Sequence, residues 1–174
     1  GRPTPRALLT QSTRELVSAT DPRDLLRRLS STLHEGLEFE HVSSYLRTPG
    51  GGFVRVSGTD GVPEELPQHV LRQPFPGAAE QSLAVTGHAL RLPLERVGTV
   101  HGLLYLGLHR GIFPLGSEGR EVVEAFAAQA ALGLESARYL DDLRRQAEEY
   151  RILHANTQRI IESSAAAILV CDAS

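Results

Sequence analysis

Lysine is missing from this chain: all 18 basic residues are arginine. That excludes Schiff-base chemistry and the phosphate-binding lysine of a P-loop. Methionine is missing too, so Gly1 is not a natural start and an excised piece of a longer protein is expected, with no targeting signal at its N-terminus. Asparagine occurs only at Asn156 and cysteine only at Cys171. One thiol forms no internal disulfide, and a reducing, cytoplasmic setting is the expectation. No apolar run approaches a bilayer-spanning length; the longest, Ala165 to Val170, is strand-sized. The piece therefore reads as soluble and without membrane contact. Its net charge of -3 is the wrong sign for neutralising a phosphate backbone, so no nucleic-acid partner is expected.

What is present is organised by period. Residues 5–19 carry Leu9, Leu16 and Val17 and predict a modest helix. A clearer one follows: Asp21 stands at an N-cap, Pro22 at the first helical position, and Leu25, Leu26, Leu29 and Leu33 form one stripe before Gly36 ends it. Residues 41–57, HVSSYLRTPGGGFVRVS, alternate on both sides of PGGG and predict a hairpin. Pairing Arg47 with Phe53 puts Val42, Leu46, Val54 and Val56 on one face, and Tyr45, Phe53 and Arg55 on the other. Residues 88–109 repeat the pattern around ERVG. Leu90, Leu92, Leu94, Val100, Leu104, Leu106 and Leu108 share a face; Arg91, Pro93, His101, Leu103 and Tyr105 share its opposite. In this pairing His88 faces Leu106 and His101 faces Pro93. Each hairpin thus has an aliphatic side and a side mixing aromatic, basic and imidazole groups. The Pro- and Gly-rich residues 58–87 lie between, with VPEELPQHVLRQ read as a short helix.

From Ser117 no proline or breaker cluster interrupts the chain until residue 163. This predicts one helix of about 45 residues, ~70 Å at the usual rise, whose far end projects from the domain. Val123, Ala127, Ala130, Leu134 and Ala137 are spaced to meet a core. Then the phase slips, and Leu140, Leu143, Ala147, Tyr150, His154, Thr157 and Ile161 alternate by threes and fours as a coiled-coil seam does. Tyr150, His154 and Thr157 make the seam weakly apolar and able to shift register. A solvated helix with accidental spacing is the other reading.

HALRLPLERVGTVHGLLYLGLHRGIF is similar to the two late strands of a GAF domain, the small-molecule-sensing module of bacterial signalling proteins, and EGREVVEAFAAQAALGLESARYLDDL is similar to that family's C-terminal helix. The resemblance covers residues 5–140. Residues 141–163 look like a coiled-coil signalling helix, and residues 164–174 resemble the truncated start of a PAS domain, Ala165 to Val170 being its first strand. The likeness implies an α+β, GAF-like fold: an antiparallel sheet with helices packed on one face, a long projecting C-terminal helix, a ligand pocket on the other face, and a parallel homodimer feeding a downstream output domain in a sensor histidine kinase or similar protein. Family members that bind cyclic nucleotides carry Asn, Lys, a spaced Phe and then Asp-Glu. Here those positions read His109, Arg110, Phe113, Ser117 and Glu118, and Ser117 removes the carboxylate that the basic residue would meet.

The mixed face supplies the candidate ligand residues: Tyr45, Phe53, Arg55, Arg91, His101 and Tyr105. Arginine pairs anions, tyrosine stacks or donates, and imidazole adds a pH-sensitive contact. On this reading, removing Arg91 spares stability. The competing reading is a ligand-free dimerisation module whose mixed face is solvated or covered by residues 58–87. A haem-based gas sensor would need one axial histidine among His69, His88 and His101. No metal site is expected, because the histidines are kept apart without a carboxylate cluster, and no cofactor is assigned. His34-Glu35 and Leu46-Arg47-Thr48-Pro49 are fragments of a kinase phospho-acceptor box, but ten residues separate what that box holds contiguous. Cys171 lies outside the domain, away from the positions where GAF-like methionine sulfoxide reductases and bilin-carrying domains need a thiol. The chain is therefore read as regulatory, not enzymatic.

Overall fold

The computed structural model describes Ala7, residues 21–107 and residues 117–172, without the side chains of Glu118 and residues 169–172. The rest of the helix expected over 5–19, Leu108, and the stretch holding His109, Arg110 and Phe113 lie outside the described residues. The chain divides into two units, Gly1–Arg138 and Tyr139–Ser174.

Helix α1 (Pro22–Ser31) begins where its caps dictate: Asp21 accepts from the Arg23 N–H at 3.1 Å, with Pro22 at the first turn. An ion pair from Arg28 to Asp24 at 3.0 Å ties successive turns. The helix passes into a π-helical turn, Thr32–Gly36, and the stripe Leu25, Leu26, Leu29, Leu33 is fully buried. Strands β1 (Val42–Arg47) and β2 (Phe53–Ser57) form the first hairpin, with Arg47 opposite Phe53 as the alternation predicts. β3 (Glu65–Leu66) is followed by 3-10 turns at Gln68–Arg72 and Ala78–Glu80 and by the short helix α2 (Gln81–Val85), so the helix expected over 62–73 is part strand and part 3-10 turn. β4 (His88–Arg96) and β5 (Thr99–Gly107) complete a five-stranded antiparallel sheet of order β3-β2-β1-β5-β4. Helix α3 runs Ser117–Asp172.

Each face of the sheet carries its own core. On the aliphatic face, the leucines of α1 meet Val42, Leu94, Leu104 and Leu106 together with Val123, Phe126, Ala127, Ala130 and Leu134 of α3. Burying this much apolar area is the main driving force for the first unit. At Gly102 of β5, a Cβ would come within 2.7 Å of the Tyr45 carbonyl oxygen, so only glycine fits there. The mixed face is buried as well. Tyr45, Phe53, Leu103 and Tyr105 pack under Val62, Leu66, Val70 and Leu83, all from residues 58–87.

Two expectations need correction. Ala165 to Val170 lies in α3, not in a strand: alanine is the best helix former, and a helix closes its hydrogen bonds within the segment, whereas a lone strand leaves them open. The second hairpin pairs Leu90, not His88, with Leu106. Its loop is the two-residue Val97-Gly98, both at positive φ (50° and 74°), which shifts the pairing by one beside the turn, and the irregularity between Leu94 and Glu95 adds a second, so that Leu94 to Leu90 are slipped by two. A slip of two preserves the faces of β4.

Candidate functional site

β1 and β5 lie side by side with Tyr45 opposite Leu103 and Ser43 opposite Tyr105, and this register sets the two phenol rings edge to face at 5.5 Å and 80°. Tyr45 donates its hydroxyl to the Pro63 carbonyl at 2.6 Å, and Phe53 is buried beside Leu66. Burial holds both tyrosines well above the ordinary phenol value, with the Glu80 contact raising Tyr105 further. They are neutral hydrogen-bond donors.

The polar centre is a residue that the sequence reading did not select. Glu80 is 0 % exposed, and its carboxylate accepts from Arg91 Nη1 at 2.7 and 2.9 Å, from the Tyr105 hydroxyl at 2.6 Å and from the Gly77 N–H at 2.9 Å. Arg91 Nη2 donates onward to the Gln73 carbonyl. The signal was Gly77-Ala78-Ala79-Glu80, a glutamate three residues after a helix-start position, where its carboxylate bends back to an unpaired N–H. Nothing in that spacing announces Arg91 as the second partner. Arg55, at the margin of the face, lies 3.7 Å from Glu64.

His101 is not on this face. Glu95 pairs with Val100 while Leu94 pairs with Gly102, so His101 is the extra residue of a β-bulge. The bulge turns Val100 toward Tyr105 and Leu103, and His101 toward α3. There its Nε2 is 3.8 Å from Glu135, its side chain is buried, and neither ring nitrogen makes a hydrogen bond among the described residues. Burial holds its pKa below the ordinary imidazole value; Arg138 and Arg47 lower it further, and Glu135, also paired with Arg96 at 3.2 Å, opposes them. Among the other histidines, His69 is exposed. His88 is buried and donates from Nδ1 to the Leu83 carbonyl at 3.1 Å, so its Nε2 accepts from the Ser43 hydroxyl at 2.9 Å. Burial lowers its pKa too; the hydrogen bond to Leu83 opposes this and His41 adds to the lowering.

These two imidazoles predict a pH dependence. Both folded-state pKa values lie below those of the unfolded chain, so on acidification through about pH 6.5 the unfolded state takes up protons that the folded state resists, and stability is lost as pH falls. Melting followed by circular dichroism is expected to give a lower Tm at pH 5.5 than at pH 7.5. His101→Leu reduces that difference; an unchanged difference assigns it elsewhere.

An open groove of about 260 Å³ lies on the aliphatic side, lined by Ser30, His34, Glu35, Glu40, Ser57 and Thr59 among others. Its floor is a hydroxyl chain, Ser30 to Ser57 at 2.8 Å and Ser57 to Ser44 at 2.6 Å. His34, the histidine of the discarded kinase fragment, bonds the Phe39 carbonyl through Nδ1 at 2.7 Å. Among the described residues, no three His, Cys, Asp or Glu side chains gather as a metal site, and no helix is long and apolar enough to cross a membrane.

No family model matches the sequence, and no curated protein sequence does. Solved structures do. The GAF domain of the potassium sensor histidine kinase KdpD from Escherichia coli superposes at a TM-score of 0.59, with 17% identity over 78% of this chain and 96% of that one. A GAF domain from a Coxiella burnetii phosphoenolpyruvate-protein phosphotransferase gives 0.59, with 18% identity over 78% and 95%. The chain has a GAF fold. The free methionine-R-sulfoxide reductase of Neisseria meningitidis, solved with its substrate, is similar at 0.59 and 16% identity over 78% of this chain and 91% of that one, so the GAF fold as such does not separate enzyme from regulator. In this GAF fold, the face where the resemblance implies a pocket is covered by residues 58–87. Tyr45, Phe53, Arg91 and Tyr105 are brought together there, Arg55 stands at the edge, and His101 is across the sheet.

The second unit is helix throughout its described length. Leu140, Leu143, Tyr150 and Ile161 are exposed on the expected seam, but Tyr139, Leu153 and Ile160 are exposed too. Replacing Leu140, Ala147, His154 and Ile161 by Tyr139, Gln146, Leu153 and Ile160 gives a second three-and-four series through the same Leu143, Tyr150 and Thr157. Both series have the same three-and-four spacing, so the alternation from Leu140 alone does not choose between them.

Proposed function

We propose that this chain is a regulatory sensory and dimerisation module of a bacterial signalling protein, in which the GAF-fold unit biases a parallel coiled coil that leads to a downstream, PAS-like output domain. The setting is a cytoplasmic one, with a histidine kinase among the candidate parents and no role for nucleic acid. The carrying observation is the helix of the second unit, whose large apolar side chains Leu143, Tyr150, Leu153, Ile160 and Ile161 are all exposed. Two overlapping seams through shared residues offer two arrangements, and an output element that is to be biased needs two. The filled mixed face favours a second reading, a dimerisation module that binds no ligand.

The dimer is tested by cysteine cross-linking in a Cys171→Ser background. Ala147→Cys lies on the seam and is expected to form an intermolecular disulfide under mild oxidation, because in a parallel pair each seam position meets its own copy; Glu149→Cys, off both seams, is expected to stay reduced. A dimer by light scattering in which both variants or neither cross-link overturns the parallel coil, and a monomer overturns the dimer.

A further inference from the structure

Among the described residues, Glu80 is the only fully buried carboxylate, and the donors around it are arranged as they would be for a ligand. Arg91 of β4 and Tyr105 of β5 both point at it from the sheet, and Tyr105 belongs to an aromatic floor with Tyr45 and Phe53. Glu80 itself arrives from above, on residues 67–86. The backbone hydrogen bonds of that segment, Val70 to Pro67, Gln73 to Val70, Glu80 to Gly77 and Thr86 to Ser82, all close within it. Side chains and a few carbonyls therefore hold it down: the Glu80 carboxylate, the Gln73 carbonyl on Arg91, the Leu83 carbonyl on His88, the Phe75 ring on Tyr105, and the apolar contacts of Val70, Leu71, Ala79 and Leu83. A segment anchored in this way opens at lower cost than a strand bonded along its length.

We propose that Arg91 and Tyr105 form a carboxylate-binding site, that Glu80 is its resident carboxylate and latches residues 67–86 shut, and that a small aromatic acid replaces Glu80 when the segment lifts. This rests on the reading of the chain as a sensory module. Charge selects the ligand class: if residues 67–86 settle back without Glu80 against Arg91, the guanidinium is stranded on a largely buried face unless another anion takes that place. Geometry selects the rest. The carboxylate meets one guanidinium and one phenol, and the apolar body lies on Tyr45 and Phe53. Because the competing carboxylate is tethered, its effective concentration is high and the site is masked in the wild type.

Removing the tethered group therefore exposes the site. Glu80→Ala is expected to melt about 10 °C below wild type and to show faster hydrogen exchange across residues 67–86. With ionic strength matched by sodium chloride, 20 mM sodium benzoate is expected to raise the Tm of the variant by about 5 °C and slow that exchange again. Benzamide, of the same shape without the charge, does neither. Wild type shifts far less, and the Glu80→Ala/Arg91→Ala double variant does not respond. Equal effects of benzoate and benzamide, no effect of either, or exchange unaltered by Glu80→Ala each overturn the proposal. If Glu80→Ala is recovered unfolded, the yield of folded protein on refolding in benzoate against benzamide makes the same comparison, and equal yields overturn it. A benzoate response without the cysteine cross-link keeps the site and removes the signalling coil; the cross-link without a benzoate response does the reverse.

Discussion

Arg91→Ala is expected to destabilise the first unit by about 3–5 kcal/mol, because it leaves the Glu80 carboxylate buried with its positive partner gone. From alternation alone, an arginine on a ligand face is expected to be dispensable without ligand. What reverses it is burial on both sides, with the Arg91 side chain 11 % exposed and that of Glu80 0 %. A fall in Tm of roughly 10 °C or more checks this. Adding Glu80→Gln to Arg91→Ala is expected to recover part of the loss, since a neutral amide does not strand a charge, and the two changes couple strongly. Simple additivity, or a Tm within a degree or two of wild type, means that Glu80 finds another partner.

Phe126→Ala is expected to cost about 3–5 kcal/mol by opening a cavity between α3 and the sheet. Phe126 is 0 % exposed and meets the aliphatic core on a helix face also occupied by Val122, Ala130 and Leu134. The partner experiment is Tyr150→Ala, on a side chain 71 % exposed, which is expected to leave the melting of the first unit unchanged and to weaken dimerisation, read as a shift in the concentration dependence of mass by light scattering. Equal losses of stability from the two variants contradict the division of roles along α3.

Both results bear on what a filled face means for a sensor. On the latch proposed above, a site occupied by the chain's own carboxylate would respond only to a ligand that does more than Glu80 does, so its threshold would be set by the latch as well as by the contacts. Loosening the latch lowers that threshold and the stability of the domain together.

Local patterns carried much of this protein. The stripe Leu25, Leu26, Leu29, Leu33 is buried, Arg47 stands opposite Phe53, and Val123, Ala127, Ala130, Leu134 and Ala137 are buried on the core-facing side of α3. Such features follow from periods of 3.6 and 2, which a chain displays before it folds. The failures have a common cause too. Alternation read straight through β5 put His101 beside Arg91, and one bulged residue sent it to Glu135 on the other side. A bulge is decided by how two strands meet, and neither strand announces it alone. Leu153 and Ile160 were passed over because one unbroken heptad series already accounted for the helix.

By itself, then, the sequence determined the two-faced hairpins, the capped leucine helix and the long C-terminal helix, because side-chain periodicity and caps act over a few residues at a time, while the α+β plan came from the resemblance to GAF domains. Tertiary structure alone decided what covers the mixed face and which charges are paired beneath it. Glu80 and Arg91 are eleven residues apart on different elements, and only the fold of residues 67–86 onto the sheet removes the water that would otherwise make their pairing weak.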